Sequence, residues 1–314
     1  MLTSLEVPSA LGGERLDHVL HQLVPDLSRS LARRLCECGA VAIDGVRAAA
    51  SDRLRAGLTL VYRSELAPLS LALGMEVVYA DPAMLVVHKP AGLAAHGGPL
   101  VDDSLAARLA DAFPGEGVGL AHRLDREASG LCAVGRRREA LAALARAIEA
   151  GQVERVYHAA VVGTPTQDEF TIDLPLRVLD EPRGDQPKTV VDHAHGGPAR
   201  SDVRVLQRTK QAALVEVRLH SGKTHQIRAH LGAVGFPLLG DPRYGDPASN
   251  AMARESFGVR RLMLHAHRLA LASPVDGRRL ELTASHEPDF ARMFRATLLP
   301  RRDRSGEQSA GKDS

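Results

Sequence analysis

The sequence predicts an α+β fold: a large domain built on a mixed, mainly antiparallel sheet, with a small α/β unit ahead of it. Three observations carry this expectation. The 314 residues are enough for one large domain with a smaller one attached. Between residues 75 and 298, strand-like runs outnumber helical ones and do not alternate with them, unlike a doubly wound sheet. No Gly-x-Gly-x-x-Gly follows a strand, and Ser221-Gly222-Lys223-Thr224 lacks the upstream glycine of a phosphate-binding loop.

Composition narrows the partners. Hydrophobic residues make up 44% and charged residues 25%, which is ordinary for a globular chain. A net charge of only +2 means that any nucleic acid must be met by local patches rather than a general basic field. Aromatics are 3% with no Trp, which argues against a long stacking platform for single strands. Cys36, Cys38 and Cys132 form no even framework and no paired Cys-x-x-Cys, so a reducing compartment is expected and metal binding by cysteine is not. No run approaches the length of a membrane span. Residues 1–10 show no basic stretch followed by an apolar core. The cytoplasm is the expected location, and a monomer the expected state.

The elements follow in order. Residues 1–11 are expected to form a loose leader. From 12 to 63 a compact unit is drawn. Leu16, Val19, Leu20 and Leu23 share one helical face that Pro25 ends. Ser28 is placed to cap a second helix with Leu31 and Leu35 inward and Arg29, Arg33 and Arg34 outward. A short strand over 40–44, a turn at Asp44-Gly45 and a strand over 58–62 complete it. Such arginines suit a phosphate backbone, and equally a solvated helix face.

Residues 64–74 read as a linker into the main domain, 75–299. Strands are expected over 76–79 and 84–89, a helix over 100–112, and a strand over 131–135. A helix over 138–150 and a long strand over 153–162 follow. Further strands are expected near 170–174, 188–192, 213–219 and 268–272, with helices over 224–233 and 288–298. The tail, 300–314, is charged and Ser/Gly-rich and is expected to be disordered.

At the centre lies Ala121-His122-Arg123-Leu124-Asp125-Arg126-Glu127-Ala128-Ser129-Gly130, a polar loop between apolar flanks. Its Ser-Gly end reads as a turn. Asp125 stands between Arg123 and Arg126, which would favour the ionised carboxylate and an anionic ligand. On composition alone the loop reads first as a surface salt-bridge turn. Alternating histidines, at His193 and His195 and at His265 and His267, read as facing solvent or a hydrogen bond rather than a metal.

Two resemblances sharpen this. Arg15-Leu16-Asp17, Ser28-Arg29-Ser30, the run from Gly39 to Gly45 and the late Gly57 resemble an S4 RNA-binding domain. His-Arg-Leu-Asp-Arg-Glu-Ala-Ser-Gly-Leu from His122, Arg155-Val156-Tyr157, Thr-His-Gln-Ile-Arg-Ala-His from Thr224, and Gly-Phe-Pro-Leu-Leu-Gly-Asp-Pro-Arg-Tyr-Gly from Gly235 resemble the RluA family of RNA pseudouridine synthases. The match runs in order over nearly the whole main domain, and an S4 domain ahead of it is a common arrangement in that family.

The resemblance implies a pseudouridine synthase fold and conversion of uridine to pseudouridine in structured RNA. Ribosomal RNA of the large subunit is favoured, and transfer RNA is the second candidate. It makes Asp125 the catalytic aspartate, Tyr157 the active-site tyrosine and Arg228 the basic partner of Asp125. Asp125 could act as nucleophile or as base, and either role needs an ionised carboxylate that Arg228 can secure. Arg123 is a candidate to fill the space of a flipped base or to hold phosphates. Lys89, Lys223 and Arg126 are candidate phosphate contacts, and His122 is structural. The reaction has no redox change and no net hydrolysis, so no cofactor or metal is called for. Ala128 departs from the usual Thr of the motif, and Lys223 from the usual Arg. A non-catalytic RNA-binding factor is the alternative; it predicts loss of Asp125, Tyr157 or Arg228, and all three are present.

Overall fold

The structure is a computed structural model. It describes residues 2–98, 101–179 and 187–298, with side chains up to 294. The expected tail and Leu100 lie outside these residues.

The N-terminal unit begins earlier than expected. Residues 1–11 were read as a leader, but Leu2–Glu6 forms β1. Leu5 packs on the unit's core and Val7 is buried in it. That anchorage turns the leader into an edge strand. Helices α1 (Leu16–Leu23) and α2 (Arg29–Glu37) follow, and the Ser28 side chain accepts from Leu31 N at 3.3 Å as an N-cap should. Strands β2 (Val41–Ile43), β3 (Val46–Arg47) and β4 (Thr59–Arg63) complete an antiparallel sheet in the order β1-β4-β2-β3. Leu16, Val19, Leu20 and Leu35 fill the space between helices and sheet.

The stretch 64–74, expected as a plain linker, is helical. After a single 3-10 turn, α3 spans Ala67–Leu73, with Pro68 in its first turn and Gly74 left-handed at its end. Ala67 and Leu71 pack on the small core, whereas Leu73 belongs to the large one. The connection is therefore held at both ends by apolar burial.

The large domain follows: β5 (Val77–Ala80), β6 (Met84–Lys89), α4 (Leu105–Ala112), β7 (Gly119–Leu120), β8 (Ser129–Gly135), α5 (Arg138–Glu149) and β9 (Glu154–Val162). Next come β10 (Glu169–Asp173), β11 (Leu176–Leu179), β12 (Lys188–Val191), β13 (Arg200–Arg208) and β14 (Ala212–Leu219). Last are α6 (Gln226–Ala233), α7 (Pro247–Phe257), β15 (Leu264–Ala272), β16 (Arg279–Thr283) and α8 (Pro288–Leu298). The main sheet runs β10-β13-β14-β9-β15-β8-β6-β5, with β16 on β15 and β7 on β8. Strands β15 and β8 pair in parallel, while their neighbours pair antiparallel. This is the mixed α+β sheet that the sequence predicts. A separate ribbon joins β11 to β12.

Several elements depart from expectation. Helix α4 starts at Leu105 because Ser104 caps it, accepting from Ala107 N at 3.1 Å. Strands β3, β7, β11, β13 and β16 and helix α7 lie outside the elements expected from the sequence. Helix α7 carries a start signal in Asp246-Pro247, since the Asp246 carboxylate accepts from Ser249 N at 2.7 Å. Among the described residues no helix is long and apolar enough to cross a membrane.

Candidate active site

Four segments meet at one recess: the loop before β8, the middle of β9, the end of β14 and the start of α6. Ser129-Gly130 does not turn, contrary to its composition; it opens β8. Gly130 has φ +114°, and a Cβ there would overlap the backbone of Ala266. Only glycine lets β8 lie against β15 at that point. Next to it, Ser129 Oγ and His265 Nδ1 are 2.9 Å apart in the interior. The loop's other end is tied by His122, whose Nε2 accepts from Ala133 N at 3.0 Å. Burial pushes His122 down to about 4, so the ring is neutral and structural, as expected.

Lys89 corrects an expectation. It was a candidate phosphate contact, yet it is fully buried. Its Nζ donates to Pro90 O at 2.8 Å, Leu93 O at 2.8 Å and Arg126 O at 3.1 Å. An ammonium has three N–H groups, so none remains for RNA. Burial lowers it to about 8. Gly92 N also donates to Arg126 O at 2.8 Å, and Arg126 Nε donates back to Gly92 O at 3.1 Å. Lys89 is thus a clamp that holds the 90–93 turn against the loop carrying Asp125.

Asp125 is partnered from a distant part of the chain. Arg228 Nη1 donates to its Oδ2 at 2.9 Å. Among the described residues, the flanking Arg123 and Arg126 form no ion pair with it, so local sequence named the wrong neighbours. Arg228 is itself held by Asp241, with Nε donating to Oδ2 at 2.8 Å and Nη2 to Oδ1 at 2.9 Å. The Tyr244 ring lies 4.9 Å from the guanidinium carbon. Burial opposes the Arg228 cation, but Asp241 and Asp125 outweigh it and raise its pKa. Burial likewise opposes the Asp241 anion, and Arg228 together with the N–H groups of Tyr244 and Arg243 holds it below the usual range. The result is a guanidinium fixed in place with one N–H turned toward Asp125.

Tyr157 lies on β9, buried and lining the same recess. Burial pushes its phenol up to about 12, so it stays protonated. The recess holds a cavity of about 70 Å³ and is lined by Asp125, Tyr157 and Arg228, with Arg123, Arg155 and Lys223 around them. Those cationic side chains give it a positive rim. Arg155 Nη2 donates to Ser221 O at 3.2 Å, which anchors the turn bearing Lys223. The helix expected from Thr224 starts at Gln226, because His225 takes φ +52°. His225 Nε2 lies 3.9 Å from Asp125 Oδ2, and its Nδ1 is 3.0 Å from Tyr244 Oη.

The sequence singled out Asp125, Tyr157, Arg228, Arg123 and Lys223, and the structure brings these together. Arg29, Arg33 and Arg34 lie exposed on α2, outside the recess. Arg33 pairs with Glu37 at 2.7 Å, and Arg29 lies 3.6 Å from Asp17. Sequence reasoning missed Asp241, His225 and Tyr244. Their signal was present, since Gly-Asp-Pro-Arg-Tyr-Gly and Thr-His-Gln-Ile-Arg were noted, but only as blocks.

Fold and site together define a class: a mixed-sheet domain whose recess centres on a carboxylate with a cationic rim, joined to a small two-helix unit. Comparison with known proteins makes it specific. Residues 83–233 match the profile of the family described as RNA pseudouridylate synthase, and residues 14–60 match that of the S4 domain. The chain is 37% identical over 301 residues to an uncharacterized RNA pseudouridine synthase of Mycobacterium bovis, covering 91% of this chain and 95% of that one. It is 35% identical to a protein of Pseudomonas aeruginosa named ribosomal large subunit pseudouridine synthase D, covering 91% and 92% respectively. The solved structure of human RNA pseudouridylate synthase domain containing 4 superposes with a TM-score of 0.57 at 26% identity, over 72% of this chain and 95% of that one. The chain belongs to the RNA pseudouridine synthase family, with an S4 domain at its N-terminus.

Proposed function

We propose that this enzyme isomerises specific uridines in large-subunit ribosomal RNA, with Asp125 as the catalytic carboxylate. The observation that carries the proposal is the Asp125–Arg228 pair, 2.9 Å apart, beside Tyr157 in an open recess. The reaction breaks the bond between ribose C1′ and uracil N1, turns the base, and rejoins it through C5. A carboxylate can begin this as nucleophile or as base. Arg228 pairs with that carboxylate and fixes its direction. Tyr157 supplies a flat wall for uracil and a neutral hydroxyl.

A stacked base cannot enter such a recess, so the uridine flips in. Arg123 and Lys223 meet the phosphates on either side, and the exposed face of α2 adds contacts through Arg29, Arg33 and Arg34. The ribosomal substrate is supported by the printed name of the Pseudomonas aeruginosa relative and by the S4 domain.

The test is Asp125→Asn in the full chain. RNA affinity should persist while pseudouridine formation falls below detection. Mapping pseudouridine in RNA from cells lacking the protein should show sites lost in large-subunit RNA. Sites lost only in transfer RNA would move the substrate there, and full activity of Asp125→Asn would remove Asp125 from the chemistry.

A further inference from the structure

We propose that His158, His267 and His286 bind one divalent transition-metal ion of the zinc class at the joint between the S4 domain and the catalytic domain. This does not rest on the reading of Asp125. Side chains alternate along β9, so His158 points to the face opposite Tyr157. The ion therefore sits behind the sheet, away from the reacting uridine.

Three separate segments bring the imidazoles together: β9 for His158, β15 for His267, and the turn before α8 for His286. One ring nitrogen from each lies within 4.8 Å of the other two. The rings stack, with centroids 4.1 Å apart for His158 and His267, 4.5 Å for His267 and His286, and 4.9 Å for His158 and His286. A metal ion takes one in-ring nitrogen lone pair from each imidazole, and three such nitrogens face one another here.

Their hydrogen bonds point the same way. His267 Nδ1 lies 3.0 Å from Ala284 O, and a carbonyl only accepts, so Nδ1 carries the hydrogen and Nε2 keeps its lone pair. His158 Nε2 faces Glu216 Oε2 at 3.7 Å, and Glu216 is held by Arg204 at 2.8 Å. That leaves His158 Nδ1 turned inward, 2.7 Å from His286 Nε2. An outer nitrogen bonded to a carbonyl at His267, and one facing a carboxylate at His158, are the kind of surroundings that orient a metal-bound histidine.

Zinc at 2.0–2.1 Å from each nitrogen needs nitrogens roughly 3.3 Å apart. Reaching that spacing requires the His158–His286 pair to open from 2.7 Å as the rings turn toward the ion. The ion would take the place of the hydrogen between His158 and His286. The register of β15 against β9 shifts between Ala266 and Arg268, so His267 sits on a bulge. It is half-buried, which gives the ion a way in and leaves the fourth position to water.

The location gives the ion a task. His286 N donates to Gly45 O at 3.2 Å, and Arg47 N donates to His286 O at 3.0 Å. The segment that would hold the ion is the one bonded to the β2–β3 hairpin. A metal there would tie the central sheet to the segment on which that hairpin rests.

The test uses the full chain without a histidine tag, stripped with chelator and titrated with Co²⁺ alone. One ion per chain should bind with the intense visible bands of a tetrahedral site, Zn²⁺ should displace it, and the melting temperature should rise. His267→Ala, shown to be folded by circular dichroism, should lose both the bands and the rise. Glu216→Gln should weaken binding roughly 10- to 100-fold, and the exposed His195→Ala should leave it unchanged. Folded wild type without cobalt bands would overturn the proposal, whatever the variants do, as would bands that survive in His267→Ala.

Discussion

Arg228 serves two carboxylates with one guanidinium, and they differ in burial. Asp241 is wholly buried, whereas Asp125 stays partly open to the recess. Replacing Arg228 with Met would strand the Asp241 charge, which costs about 3–5 kcal/mol, and a urea titration should show the loss. Arg228→Lys keeps the charge but cannot hold both partners, so activity should fall further than stability. His122 gives the pH dependence. Its ring is held at about 4, against an ordinary 6.5. Between those values the unfolded chain carries the extra proton, so stability is full above 6.5 and drains away as pH falls toward 4. His122→Gln keeps an acceptor for Ala133 N without titrating. The gap between its urea midpoint and that of the wild type should therefore change across this window and hold constant above pH 7.

At this scale the sequence was partly legible. Asp125, Tyr157 and Arg228 stood out through their motifs. Asp241 did not, because Gly-Asp-Pro reads as a turn whatever its carboxylate grips. Lys89 misled, because a lysine before Pro-Ala-Gly looks exposed. What buries it is three carbonyls, and carbonyls leave no mark in a sequence.

Elements were legible where their pattern is local. Ser28 announced α2, and the apolar run of β6 and the alternation around Tyr157 announced their strands. Strand β1 was missed because its burial depends on β4, about sixty residues on, and β13 because its polar faces hide Val203 and Val205. The parallel contact of β8 with β15 is a tertiary fact that leaves one trace, Gly130. Two glycines test that reading. Gly92 has φ +89° with nothing within 4 Å of an added Cβ, so Gly92→Ala should cost only the left-handed penalty, about 1–2 kcal/mol. Gly130→Ala meets the Ala266 backbone as well, and should cost more than about 3 kcal/mol. Melting curves of the two variants should separate clearly; equal losses would mean that β8 and β15 can part without penalty.

For the whole molecule, what matters is that two cores act as one enzyme. Helix α3 packs on both, and Arg47 also reaches from one to the other. Its Nη1 donates to Glu287 at 2.9 Å, while Nη2 and Nε hold Cys38 O at 2.9 Å and Gly39 O at 3.2 Å. An added Cβ on Gly39 would collide with that guanidinium, so the glycine makes room for the bridge. Burial opposes the Glu287 charge, but His88 and Arg47 outweigh it and lower its pKa. Arg47→Met removes a cross-domain cation and leaves Glu287 with His88 and the more distant Arg261. Losing one partner of a buried pair costs about 3 kcal/mol, and the loss falls on the joint rather than on either core. Calorimetry should then resolve two transitions in place of one, with the S4 domain unfolding first and roughly 5–10 °C lower. Pseudouridine formation should weaken through KM, because the recess is intact but the RNA is no longer presented to it at a fixed angle. A single transition at the wild-type midpoint would show that the joint holds without the Arg47 side chain.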